Sequence, residues 1–228
     1  MGKVINFSNP AKLKNKIGQK RFEWFSDFLF YTDKPSIQMS PLRIFTKENA
    51  LWMGYWVAPG YLRIRLDYTQ EAGQSAVSFG EYWTFPAKDV EYRIKIKFLQ
   101  NLEKFDLAFG NITTRPEKYD LDTTDSKEFF IRFNAGDVTV REEGNNIATG
   151  LSFTNGDEIE LRFYITTKKK NKIEIWKEGA KIYEYLNAIT HIRYMLPTFI
   201  CKNIYSSSDA SPADTVLIDY LYWAGDVR

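Results

Sequence analysis

The chain has 228 residues, of which 44% are hydrophobic and 16% aromatic, enough apolar material for one sizeable core in a single β-rich domain. Its 31 basic and 29 acidic residues leave a net charge of +2, so no global field draws it toward nucleic acid or an anionic membrane. The single cysteine, Cys201, excludes an intrachain disulfide, and no run of about 18 apolar residues is present to cross a bilayer as a helix.

Residues 1–21 carry Lys3, Lys12, Lys14, Lys16, Lys20 and Arg21 and no acid, whereas the remainder holds 25 basic against 29 acidic residues, a net of −4. This stretch has too few apolar groups to fold alone, which predicts a basic N-terminal arm followed by one domain over 22–228. The short apolar run Val4-Ile5-Asn6-Phe7 is no secretory leader, so the expectation is a protein made in a cytoplasm. Phe22 to Tyr31 reads as the first strand of the body, with apolar residues on both faces. Leu42 to Phe45 and Ala50 to Val57 follow, and Pro59-Gly60 forces a turn.

From Tyr61 to Tyr68 the pattern alternates cleanly, with Leu62, Ile64, Leu66 and Tyr68 on one face and Tyr61, Arg63, Arg65 and Asp67 on the other. Val90 to Phe98 repeats it, setting Tyr92, Ile94, Ile96 and Phe98 inward and Glu91, Arg93, Lys95 and Lys97 outward. Further strands are predicted at about 105–110, 128–133 and 137–142, with turns at Ala135-Gly136, at 144–146 and at Asn155-Gly156. The clearest β signal runs from Gly156 to Tyr185. Ile159, Leu161, Phe163 and Ile165 alternate with Glu158, Glu160, Arg162 and Tyr164; the basic tip Lys168 to Lys172 ends that strand; and Glu178-Gly179 turns Ile173–Trp176 into Ile182–Tyr185. Three successive antiparallel strands form a meander that needs a second layer. Leu186 to Met195 is the one short helix expected, and Phe199 to Tyr205 and Val216 to Trp223 close the chain.

The residues for catalysis are sparse. His191 is the only histidine, no nucleophile elbow or phosphate-binding glycine signature occurs, and the expectation is a protein that is not an enzyme and holds no cofactor. Glu158 and Glu160 have the spacing of a glycanase acid pair, about 7 Å along a strand. Equivalent charges on neighbouring strands read instead as a solvated face laced with cross-strand ion pairs. Asp120, Asp122 and Asp125 offer oxygen ligands for calcium but lack the glycine and terminal glutamate of a calcium-binding hand loop, and the spacing leaves that question open. Trp52, Tyr55, Trp56, Tyr61, Tyr82 and Trp83 cluster around predicted turns. Flat rings at a rim can stack on sugars, and the same rings could fill a core or a subunit contact.

From Tyr92 onward the chain resembles the concanavalin-A-like lectin and glucanase sandwich, a two-sheet antiparallel jelly roll. The resemblance is carried by Gly156-Asp157-Glu158-Ile159-Glu160-Leu161-Arg162-Phe163, by Ile173 to Gly179, and by the closing Val216-Leu217-Ile218-Asp219-Tyr220-Leu221-Tyr222-Trp223. The Glu-x-Asp-x-x-Glu pattern of the glucanases is absent, and the metal ligands of the legume lectins have no counterpart. What remains resembles the non-catalytic sandwich of tailed-phage virion proteins. That resemblance implies an all-β fold with at most one or two short helices and a virion structural role, capsid-decorating or tail-associated. Lys12, Lys14, Lys16, Lys20 and Arg21 would then anchor the domain to other virion proteins or to further copies of itself. The alternative is a carbohydrate-binding module or glycanase-like protein with a polysaccharide ligand; the net-acidic body argues against nucleic acid.

Overall fold

A computed structural model describes residues 20–26, 42–47, 52–58, 61–67, 74–79, 89–99, 102, 105–112, 129–142, 145–166, 171–187, 196–203 and 213–227. They form fifteen strands: β1 (Lys20–Ser26), β2 (Leu42–Lys47), β3 (Trp52–Ala58), β4 (Tyr61–Asp67), β5 (Gln74–Phe79), β6 (Asp89–Phe98), β7 (Phe105–Ile112), β8 (Phe129–Asn134), β9 (Asp137–Glu142), β10 (Asn145–Ser152), β11 (Glu158–Thr166), β12 (Asn171–Lys177), β13 (Ala180–Asn187), β14 (Leu196–Asn203) and β15 (Ala213–Val227). No α-helix is present among the described residues. Every pairing is antiparallel, in two sheets. One runs β13-β12-β11-β6-β15-β4-β3 with β1 also on β15, and the other runs β10-β9-β8-β7-β14-β5-β2.

The first sheet is built on β15. One edge of that strand pairs with β6 from Val216 to Gly225; the other takes β4 over Ala213–Ile218 and then β1 over Leu221–Val227. Fifteen residues are needed to carry two partners in tandem. Asp219 is an extra residue opposite β6, since Ile218 faces Ile96 and Tyr220 faces Lys95, and a bulge of this kind bends the strand and re-aims its side chains.

Alternation explains why these segments pack as they do. Along β6, Tyr92, Ile94, Ile96 and Phe98 are fully buried while Glu91, Arg93, Lys95 and Lys97 are partly exposed. Ile159, Leu161 and Phe163 do the same on β11, whereas on β7 the inward Phe105, Leu107 and Phe109 and the outward Asp106 and Ala108 are all buried. The inward rows meet in a ring-rich layer. Phe98 lies 5.3 Å from Phe133 of the opposite sheet, edge to face, and Phe163 lies 5.4 Å from Phe109 in the same geometry. Each such pair adds about 0.5–1.5 kcal/mol to the burial of its rings. Two tight hairpins fix the registers: Ala135-Gly136 and Glu178-Gly179 have positive φ at both central residues, as two-residue turns matched to the strand twist require. At Gly136 a side chain would also drive into the carbonyl oxygen of Phe153, whose amide bonds back to Gly136 O at 3.0 Å.

The meander expected between 156 and 185 is observed as β11, β12 and β13, paired in succession. Some placements differ from those the sequence predicts. Leu186 and Asn187, placed in a helix by the sequence, continue β13 in register with Lys172 and Asn171; the rest of that segment lies outside the described residues. Asn145 and Asn146, expected in a turn, begin β10. Gln74–Phe79, for which no strand is predicted, forms β5 between β14 and β2. Lys20 and Arg21, counted with the arm, open β1 opposite Val227 and Asp226.

Candidate functional site

Each sheet turns one face to the core and one away from it, and the two outward faces differ in chemistry. On the sheet built around β15, charged residues of β6, β11, β12 and β15 are set side by side by register, Glu160 opposite Lys95 and Trp176. Lys95 Nζ lies 2.7 Å from Glu158 and 2.8 Å from Asp219, bridging β11 and β15. Those two carboxylates push its pKa well above the ordinary lysine range. Arg162 donates to Glu160 at 2.5 Å and stacks 3.9 Å over the Trp176 ring, and Lys172 sits 4.2 Å over Tyr164 while reaching Glu174 at 2.6 Å. Cation, ring and carboxylate therefore alternate along this face. The cross-strand ion pairs expected there are present.

Within that lattice Glu174 differs from its neighbours, because its side chain retains only 5% of its exposure. Burial alone would raise its pKa. Hydrogen bonds from Lys172 and from the Trp176 indole N–H, 2.9 Å away, and the charges of Lys172 and Lys181 outweigh that penalty and hold the carboxyl below its usual value. Tyr220, on β15 of the same sheet, is shifted upward by burial and by the Glu160 carboxylate.

The other outward face has a buried centre. Register puts Asp106 opposite Asn134, Ala108 opposite Arg132 and Gly110 opposite Phe130, with Arg141 and Thr139 next along. Arg132 Nε donates to both Asp106 oxygens at 2.8 and 3.0 Å, and its Nη2 also reaches the carboxylate. The pair is covered, Asp106 to 3% and Arg132 to 12% side-chain exposure. Arg141 and Phe130 are buried with them, the guanidinium 5.8 Å from the ring centroid. Gly110 is part of this construction: a side chain there would stand 2.5 Å from the Phe129 carbonyl oxygen and from Phe130. Toward β10 the same face becomes open and small, with Asn134, Asp137, Asn146, Ala148 and Ser152 exposed. Nothing lies within 4 Å of a side chain added at Gly150.

Of the aromatic residues singled out in the sequence, Trp52, Tyr55 and Trp56 fall within β3, and Tyr61 begins β4 opposite Ala58. Along β3, Tyr55 occupies the register parity opposite to that of Trp52 and Trp56. Tyr61 is 39% exposed. Tyr82 and Trp83 lie outside the described residues, as do Lys12, Lys14, Lys16, His191, Asp120, Asp122 and Asp125. Among the described residues, no three His, Cys, Asp or Glu are grouped to hold a metal ion. Nothing in the alternation about Asp106 and Arg132 signals in the sequence that they are covered.

No family model and no curated protein matches the sequence. Solved structures do match in shape. A protein of unknown function from Shewanella oneidensis MR-1 superposes with a TM-score of 0.65 at 12% identity, over 99% of this chain and 97% of the other. The carbohydrate recognition domain of Emp46p in its metal-free form gives 0.58 at 11% identity, over 87% and 94%. Peanut lectin, in complex with a nine-residue peptide, gives 0.54 at 8% identity, over 92% and 99%. The fold is the lectin-like jelly roll. At these identities the likeness extends to architecture and stops there.

Proposed function

We propose that this chain is a carbohydrate-binding module of the lectin-like jelly-roll class and that it acts without catalysis. The observation that carries the reading is the outward face of β7 to β10. A covered Asp106–Arg132 pair there borders an open shelf of Asn134, Asp137, Thr139, Asn146 and Gly150. Short amide, carboxylate and hydroxyl groups beside accessible backbone are suited to hydroxyl-rich ligands, and the rigid sheet presents them without reordering. Two of the similar structures are a carbohydrate recognition domain and a lectin, which favours this reading over the virion role implied by the resemblance to tailed-phage sandwiches. Non-catalysis is supported by the ion pairs that engage Glu158 and Glu160 on the opposite face.

The test is a glycan array probed with the full chain, followed by titration calorimetry on the best polysaccharide. Replacing Asn134, Asp137 and Asn146 together by Ala is expected to weaken that binding at least about tenfold while circular dichroism stays unchanged. Absence of binding to every glycan, or undiminished binding by the triple variant, overturns the proposal.

A further inference from the structure

Strand β13 ends the path of its sheet, and no described strand bonds to its outer edge. The edge is open to solvent, with Ala180, Lys181 and Glu184 exposed and Ile182 and Leu186 at 40% and 50%. Those last two account for two of the three large hydrophobic residues exposed among the described residues. Such an edge offers unpaired N–H and C=O groups beside apolar surface, and proteins usually blunt it with charge and bulges. Here a register shift leaves Ile182 as an extra residue opposite β12, and Lys181 supplies the charge. Both devices limit what can pair and leave one arrangement favourable.

That arrangement is the strand against itself. Lys181 and Glu184 lie on one face of β13, opposite Trp176 and Glu174 of β12, whereas Ala180 and Tyr185 occupy the other parity, opposite Lys177 and Ile173. A two-fold axis through the middle of the strand sets Lys181 against the partner's Glu184 and Ala180 against the partner's Tyr185, each contact occurring twice. Every charge meets its opposite, and the large ring meets the smallest side chain. Lys181 lies 2.5 Å from Glu184 and 3.6 Å from Glu174 within its own chain, so its ammonium is already held in place and the partner's carboxylate would be its third. Tyr185 is fixed as well, its hydroxyl donating to Glu142 of the opposite sheet. Little ordering is then left to oppose association.

The geometry points to β13 as a homodimer interface, two copies of this chain pairing edge to edge so that their sheets continue across the two-fold axis. The occupant is a second copy because the charges and sizes along β13 complement the same strand read backward. This inference does not depend on the carbohydrate reading.

Sedimentation velocity on the full chain tests it, with the expectation of a reversible dimer at micromolar concentrations. Lys181→Glu alone and Glu184→Lys alone should each weaken self-association about tenfold, because two exposed attractions become two repulsions. Mixing the two variants should restore a dimer, since each then presents what the other lacks, and no intrachain effect of either change can produce that rescue. Circular dichroism establishes that both variants fold. A chain that remains monomeric up to about 200 µM, two hundred-fold above a micromolar Kd, overturns the inference without touching the glycan result. So does a dimer indifferent to both reversals, which would place the interface elsewhere.

Discussion

The two outward faces are written in the same alternating code and end in different physical states. On β6, β11 and β12, Lys95, Arg162 and Lys172 keep 31%, 21% and 29% of their side-chain exposure and settle into ion pairs and ring contacts at the edge of water. On β7 and β8, Asp106 and Arg132 occupy equivalent positions of the pleat and are almost fully covered. Alternation assigns a side chain to a face; whether that face is wet depends on what lies over it. The same charge therefore carries different weight on the two faces. A wet pair is worth roughly 0–1 kcal/mol, whereas a covered charge is costly whenever its partner is removed.

The largest expected effect follows from that difference. Asp106→Ala takes away the carboxylate that receives Nε and Nη2 of Arg132 and leaves the guanidinium covered, which should cost about 3 kcal/mol in urea unfolding. The paired change Asp106→Ala with Arg132→Met should recover most of it, because an apolar side chain of similar length carries no charge into the covered site. If the single change costs no more than a surface substitution, Asp106 is wet, and the contrast between the faces disappears.

Much of the architecture is legible in the chain. β11, β12 and β13 follow one another within a few residues, so pattern and proximity agree, and β15 declares itself through Val216, Ile218 and Leu221. β5 and β10 escape for local reasons: Gln74-Ser75-Ala76 and Asn145-Asn146 have the composition of loops, and β5 takes its strand character from β14, far along the chain, whereas β10 takes its own by pairing with the preceding β9. The order of strands is equally non-local. Lys95 meets Asp219 across 124 positions, and nothing around either residue announces the other. The covered Asp106–Arg132 pair is illegible for the same reason, since burial of an outward face is set by tertiary structure.

Glu174 stands between the extremes, on the wet face and yet nearly covered. Its folded-state pKa is depressed, because hydrogen bonds to Lys172 and Trp176 outweigh desolvation. A depressed carboxylate stabilises the fold at every pH above its unfolded pKa, and that contribution is lost as pH falls through the folded value. The loss is thus expected below the ordinary glutamate range, at about pH 4 and under. Glu174→Gln should lower stability at neutral pH by about 1–2 kcal/mol, as charge-assisted hydrogen bonds weaken to neutral ones. It should also flatten the acid limb of the stability curve. An unchanged acid limb would mean that Glu174 titrates alike in the folded and unfolded chain.

The smallest effect is expected where the sequence first suggested chemistry. Glu158 is 46% exposed and shares Lys95 with Asp219, which still holds that ammonium if Glu158 is neutralised. Glu160 is less exposed, at 18%, but its partner Arg162 also rests on the Trp176 ring, a contact worth about 0.5–1 kcal/mol at such a site. With each cation retaining a second support, the double change Glu158→Gln and Glu160→Gln should alter stability by less than about 1 kcal/mol. The same variant interrogates the proposed absence of catalysis. Incubated with the polysaccharide that the chain binds best, neither the parent nor the variant should release new reducing ends. Hydrolysis by the parent that the double change abolishes would make the pair an acid couple of the kind that cleaves glycosidic bonds, and would move the active face of this jelly roll from β7–β10 to β6 and β11.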